Sequence, residues 1–256
     1  MQIVTINVNG IRSATSKGLA DYIQKNSPEI ICFQELKAQE DQIPEEIQAL
    51  GYHAYYHSAQ KKGYSGVGLL SKIKPISVIV GCGIDWIDQE GRILIAEFDS
   101  FFVMSVYMPS GTTGDERQLV KYRFLDVFQD FINQFKTQTD KDLVICGDYN
   151  IAHKEIDIHN PVSNKNSSGF LPEERSWFTK FLESGFVDVF REVNKEMKDL
   201  YSWWSFRAGA RKNNKGWRID YQLATPGFAN KAISARIDAE PVFSDHAPVY
   251  ISYDLG

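Results

Sequence analysis

Three short segments place oxygen-bearing side chains directly after runs of apolar residues, and the residue types suit hydrolysis at a charged centre. In Ile30-Ile31-Cys32-Phe33-Gln34-Glu35 the apolar run ends beside a carboxylate. In Leu143-Val144-Ile145-Cys146-Gly147-Asp148-Tyr149-Asn150, Asp148 and Asn150 stand two apart and so share one face of an extended chain. Gly147 permits close approach of another group there. Ile6-Asn7-Val8-Asn9-Gly10 repeats the spacing with two amides. A hard cation such as magnesium needs only one or two carboxylates, the rest of its shell coming from water and substrate oxygens. A carboxylate beside an amide can hold and polarise an attacking water.

Two segments of the second half add to these: Gly216-Trp217-Arg218-Ile219-Asp220-Tyr221 and Phe243-Ser244-Asp245-His246-Ala247-Pro248-Val249. A histidine can meet a metal or a phosphate oxygen while a carboxylate from elsewhere orients its ring. Taken singly, each cluster also fits a turn-capping or buried polar residue. The other histidines have less context. His53 and His57 fall in an aromatic-rich, strand-like segment and read as packed or partly exposed. His153 and His159 flank Glu155 and Asp157, but they are six apart with no clear helix to bring them to one face, a weak basis for zinc.

Positioning these groups requires strands, and strand-length apolar runs are the most regular feature of the chain. They cover residues 3–6, 30–33, 67–70, 76–80, 93–98, 101–106, 143–146, 219–223 and 249–251. Helical patterns cover 16–25, 44–50, 116–135 and 172–183, the last opening on Pro-Glu-Glu. Consecutive strands with helices between the groups predict an α/β class, a layered sandwich of sheets packed face to face and covered by helices. The alternation of a doubly wound fold is missing from 52–107.

The 256 residues, 43% hydrophobic and 13% aromatic, suffice for a large core, and no linker-like stretch divides them, so one domain is expected over 1–256. No apolar run reaches the roughly 18 residues of a membrane span, and the N-terminus enters strand-like sequence without a secretory pattern. Cys32, Cys82 and Cys146 stand singly in apolar surroundings and read as reduced core residues, which fits a cytoplasmic compartment. A net charge of −5 argues against a generic nucleic-acid binder, but Arg207 to Arg218 is strongly basic. One basic face on an acidic protein can hold a phosphate backbone while carboxylates elsewhere remain free for metal.

In this order the five clusters resemble the exonuclease III family of abasic-site endonucleases, within the DNase-I-like phosphodiesterase superfamily, over Ile3 to Tyr253. Lys62-Gly63-Tyr64-Ser65-Gly66-Val67, Glu90-Gly91-Arg92, Tyr107-Met108-Pro109, Ser168-Gly169-Phe170-Leu171-Pro172-Glu173-Glu174-Arg175 and Tyr201-Ser202-Trp203-Trp204 carry the resemblance further. It implies a four-layered α/β sandwich, two mainly antiparallel sheets flanked by helices. It also implies a magnesium-dependent enzyme, with manganese able to substitute, acting as a monomer on double-stranded DNA. Hydrolysis 5′ to an abasic site would leave a 3′ hydroxyl and a 5′ deoxyribose phosphate, with 3′-5′ exonuclease and 3′-end trimming alongside. Glu35 is then the principal metal ligand, with Asn7, Asp148, Asn150, Asp245 and His246 around it. Asp148 prepares the water and Asn150 orients it. Tyr107 and His246 meet the phosphate, and Asp220 fixes the His246 ring. Trp203, Trp217 and Ile219 wall the pocket for a base-less sugar, and Arg207, the basic run, Lys61 and Lys62 hold DNA.

The sequence departs from the family pattern at Asn9, where some relatives are acidic, at Ser110 and Ser167, where relatives often carry Asn, and at Arg207, where some carry an apolar wedge. These positions leave open an enzyme that mainly trims 3′ ends, as exonuclease or phosphatase. A phosphodiesterase for lipid or inositol phosphates and a non-catalytic DNA-binding protein are the remoter alternatives. A chain that starts at the catalytic segment points to a bacterial or archaeal type.

Overall fold

A computed structural model describes residues 1–256. Its strands are β1 (Gln2–Asn7), β2 (Ile30–Gln34), β3 (His53–His57), β4 (Val67–Ser71), β5 (Ser77–Val80), β6 (Ile93–Glu97), β7 (Phe101–Tyr107), β8 (Asp142–Asp148), β9 (Val187–Asp188), β10 (Asp220–Ala224), β11 (Ala232–Ile237) and β12 (Val249–Tyr253). They form two six-stranded sheets, ordered β11-β12-β1-β2-β4-β3 and β5-β6-β7-β8-β10-β9. Each sheet holds one parallel pair near its centre, β1 with β2 and β7 with β8. Every other pairing is antiparallel.

Strand periodicity builds the layers. In β2, Ile30 and Cys32 face the other sheet while Ile31 and Phe33 face outward. In β8, Val144 and Cys146 point inward, and Leu143 and Ile145 point out. The outward face of the second sheet packs against helices Asp115–Thr137 and Pro172–Glu183 through Phe124, Phe128, Phe178 and Phe181. That of the first is covered by Ile11–Ser16 and Leu19–Asn26. The result is the four-layered sandwich, with sheets that are mixed in direction.

All nine apolar runs are strands, extended by a residue or two at several ends. The helix expected over 16–25 is instead broken, because Gly18 at φ +92° separates Ile11–Ser16 from Leu19–Asn26. The 44–50 pattern shrinks to Glu45–Gln48. Cys32 and Cys146 are core residues and all three cysteines are free. Cys82, however, is only half buried, its Sγ 3.5 Å from Asp88, and burial followed by that carboxylate pushes the thiol up to about 12.

The two parallel crossovers matter for function. They bring the C-terminal ends of β1, β2, β7 and β8 to the same edge of the sandwich, where ligand sites of open sheets gather. Antiparallel β10 starts at that edge, and the loop before β12 ends there.

Candidate active site

Register places three of the expected residues side by side. Tyr107 pairs with Asp148 across β7 and β8, and Asp148 with Asp220 across β8 and β10. Asn7, ending β1, comes from the facing sheet, and its Nδ2 donates to both Asp148 Oδ2 and Glu35 Oε2 at 2.9 Å. Beneath the site, Gln34 accepts from Thr5 Oγ1 and donates to Ser105 Oγ, a buried polar chain that joins the sheets.

Just past the strands the backbone turns sharply. Asn9, Glu35 and Asn150 adopt positive φ, at +44°, +57° and +52°. Such backbone costs about 1 kcal/mol or more at a non-glycine residue and persists where surrounding bonds impose it. Those bonds are visible here. Gly10 N donates to Glu35 O at 2.8 Å, Leu36 N to Gly66 O at 3.0 Å, and Asn150 N to Asp148 Oδ1 at 2.8 Å.

His246 is 4% exposed, with Nδ1 donating to Asp220 Oδ2 at 2.9 Å and Nε2 3.8 Å from Asp148 Oδ2. Burial disfavours its charge, yet Asp220 and Asp148 outweigh that and raise it to about 10. The imidazolium is therefore a standing cation at neutral pH. Asp148 moves up to about 7, driven first by burial, with His246 opposing and Asp220 adding repulsion. Tyr107 is raised well above its ordinary value by burial, Glu35 and Asp148, so it stays a hydroxyl donor. Arg92, buried beneath it, stacks 5.0 Å from its ring and donates to its carbonyl.

Asp245 has both oxygens engaged, Oδ1 with Asn9 Nδ2 and Oδ2 with Trp203 Nε1, each at 2.9 Å. Burial opposes its charge, but His246, Asn9 and Trp203 hold it below the usual carboxylate range. Trp203 and Trp217 meet edge to face at 5.9 Å and 84°. Ile219 packs below them with Ala152, Ile158 and Phe170. The two indoles are thus half-buried walls rather than core, and a cavity of about 820 Å³ opens in front of them onto Glu35, Asp148 and His246.

Of the twelve expected residues, Asn7, Glu35, Tyr107, Asp148, Asn150, Trp203, Trp217, Ile219, Asp220, Asp245 and His246 converge here. Arg207 stands apart as an exposed loop residue with no side-chain partner. Asn7, expected among the metal ligands, accepts from Asn9 N on Oδ1 at 2.9 Å and donates from Nδ2 to the carboxylates of Glu35 and Asp148.

The basic run is corrected more strongly. Arg218 is 1% exposed, bound to Asp157 Oδ1 at 2.8 Å and Asp188 Oδ2 at 2.6 Å, and Arg211 is spent on the carbonyls of Ala239, Pro241 and Ser244. Arg207, Lys212 and Lys215 remain exposed, as do Lys61 and Lys62.

Lys37, Ser202 and Ser244 carry parts that the sequence reading left unassigned. Lys37 Nζ sits 2.9 Å from Glu35 Oε1 and donates to Asn9 Oδ1 at 2.6 Å. Ser202 Oγ donates to Asp220 Oδ2 at 2.6 Å, and Ser244 Oγ to Asn7 O at 2.7 Å. Their positions beside motif residues were the available signal.

Whether these donors fit a divalent cation can be judged from their chemistry. Glu35, Asp148 and Asp245 share the cavity, no thiolate is present, and the carboxylate oxygens of Asp148 and Asp220 lie within 4.8 Å of a His246 nitrogen. Such an oxygen-rich set suits a hard cation, and a cation beside Asp148 would favour the charge that burial, and secondarily Asp220, disfavour.

The sequence pattern of the endonuclease/exonuclease/phosphatase family matches residues 4–246. An exodeoxyribonuclease of Bacillus subtilis is 42% identical over 256 residues, all of both chains. An AP endonuclease from Archaeoglobus fulgidus has the same fold at a TM-score of 0.90 and 30% identity, covering 100% of each chain. A 3′ phosphatase from Neisseria, in a structure bound to product DNA hairpin, gives 0.91 at 28% identity over 99% of each.

Proposed function

This chain belongs to the endonuclease/exonuclease/phosphatase family, in its exonuclease III type, and we propose that it is a DNA repair phosphodiesterase. It hydrolyses the backbone 5′ to abasic sites and removes nucleotides and blocking groups from 3′ ends. The observation that carries this reading is the aromatic slot of Trp203, Trp217 and Ile219, opening directly onto the Asp148 and His246 pair. A sugar without a base enters such a slot at little cost, whereas an intact nucleotide must first unstack. A lipid or inositol phosphate would have no use for two indoles at this position.

Glu35, with Asp148, Asn150 and Asp245 in the same cavity, would hold magnesium, or manganese in its place. Such an ion, when bound, would polarise the phosphoryl group and stabilise negative charge on the departing 3′ oxygen. The protein's own groups do the rest. Both Asp148 oxygens are fixed by Asn7 and Asn150, which aims the carboxylate to take a proton from water. His246, kept cationic by Asp220, holds a phosphate oxygen, and the Tyr107 hydroxyl donates to another. Arg207, Lys212, Lys215, Lys61 and Lys62 grip the flanking backbone, which lets a chain of net charge −5 hold DNA. No helix is long and apolar enough to cross a membrane. We place the enzyme in the cytoplasm of a bacterial or archaeal cell as a single-domain monomer.

Two duplexes test the reading, one with an internal abasic analogue and one nicked with a blocked 3′ end, each with magnesium, manganese or EDTA. Both should be cut, and EDTA should abolish cutting. Cleavage of the nicked duplex alone would establish the 3′-end enzyme instead, for which Ser110, Ser167 and Arg207 are the reason. Cleavage of neither would refute the proposal.

A further inference from the structure

Behind the turn that follows β8 an ion pair is sealed from water. Lys121, in helix Asp115–Thr137, and Glu174, in the first turn of Pro172–Glu183, have side chains at 0% exposure with Nζ and Oε1 2.5 Å apart. Burying two charges gives little stability over an apolar pair of similar shape, so the pair calls for another explanation. Its remaining bonds supply one. Lys121 Nζ donates to the Asn150 carbonyl at 2.7 Å. Glu174 Oε2 accepts from Gly169 N at 2.6 Å and Leu171 N at 3.0 Å. Gln118 donates to Glu174 Oε1 at 3.0 Å and accepts from Ser168 Oγ at 2.7 Å.

One ion pair therefore grips two walls of the cavity. On one side stands Asn150, at positive φ beside Asp148. On the other stands the loop 167–171, which lies against the slot. The walls are in close contact: a Cβ at Gly169 would fall 2.9 Å from the Trp217 ring and 3.0 Å from the Asn150 carbonyl oxygen. Gly169 O itself accepts from Ala152 N at 2.8 Å, just past the turn.

Building on the function proposed above, we propose that Lys121 and Glu174 are positioning residues that set the spacing between the turn after β8, which carries Asp148 and Asn150, and the wall that selects the sugar. A residue seated in the slot then presents its phosphate to Asp148 in register. An intact nucleotide, which needs a wider slot, is held back by the same bonds. Displacement by about 1 Å at a reacting centre costs on the order of a hundredfold in rate, so loosening the pair should act on turnover and selection together.

The double variant Lys121→Met/Glu174→Gln removes both charges at nearly constant volume. It keeps an amide oxygen for Gly169 and Leu171 but releases the Asn150 carbonyl. At 15 °C it should lower kcat for abasic incision by about a hundredfold with KM little changed. It should also reduce the preference for the abasic site over an intact 3′ nucleotide by about tenfold, the discrimination a single contact typically supplies. Amide exchange at 149–152 and at 167–171 should accelerate together. Gly169→Ala, which leaves the charges in place, should reproduce the loss of preference. A lowered melting temperature with kcat, preference and exchange unchanged would make the pair merely structural and overturn the proposal, as would exchange that accelerates in one segment only. If the wild type cut neither substrate, the functional reading would fall while the exchange comparison still decided the coupling.

Discussion

Two clusters of histidine and carboxylate are built from the same residue types and come to opposite ends. At the candidate site Asp148, Asp220, Asp245 and Glu35 converge, with His246 and Lys37 the cations among them. Beside the slot, His153, Glu155, Asp157 and His159 fall within seven residues, and no site forms. Asp157 is neutralised by Arg218 at 2.8 Å and Arg191 at 2.6 Å. Burial opposes its charge, yet those guanidiniums hold it below the ordinary range. His153 stacks on Phe178, bonds Thr179 through Nε2, and is driven down to about 4, chiefly by burial. One histidine is charged by excess carboxylate and the other is kept neutral by apolar cover. What separates site from scaffold is unbalanced charge facing a cavity, rather than residue type.

The contrast can be broken most forcefully at Asp148. Asp148→Asn should lower kcat by about 10³-fold or more while leaving the melting temperature nearly intact, because a positioned base contributes about 10²–10⁴-fold and the proposed metal would lose a ligand as well. Steady-state kinetics with matched thermal melts checks both halves. Asp157→Asn should do the reverse. Arg218 then keeps only Asp188 and Arg191 loses its carboxylate, which should cost about 2–3 kcal/mol in urea denaturation, with incision retained at low temperature in the fraction still folded.

The two histidines should also give opposite pH slopes of stability. For His153 the folded value, about 4, lies below the ordinary 6.5, so its contribution is full above 6.5 and lost as pH falls through 4. That loss is at most about 3 kcal/mol, and His153→Gln should flatten it. For His246 the folded value lies above 6.5, so its contribution is full below 6.5 and lost as pH rises through about 10. His246→Gln should flatten the alkaline limb instead. Denaturation curves from pH 4 to 10 measure both. The smallest effect belongs to Arg207→Ala, which should reduce the slope of log affinity against log salt by about one, whereas Arg218→Ala should change stability and not that slope.

Much of this was legible in the sequence. Glu35, Asp148 and His246 announce themselves because each follows or precedes an apolar strand, and strand ends are where such residues become accessible. The nine apolar runs were legible for the same reason, periodicity being local. Pairings between distant segments were not. Nothing local shows that Arg218 turns inward to Asp157 and Asp188 while Arg207 turns out, so a basic run read as one DNA-binding face splits into scaffold and surface. Nor does Asn7 reveal which end of its amide faces the carboxylates until Asn9 N takes the oxygen. The break at Gly18 needed only a positive φ that the helical pattern around it concealed.

The proposed chemistry is hydrolysis at phosphorus with departure of the 3′ oxygen. The most direct measurement is cleavage of an abasic duplex in 18O-enriched water with magnesium, followed by mass analysis of both ends. Attack of water at phosphorus gives a 3′ hydroxyl free of label and a 5′ deoxyribose phosphate with one 18O on phosphorus. A 3′ unsaturated aldehyde, or a 5′ phosphate without label, would mean that a carbon–oxygen bond had broken instead and would contradict it.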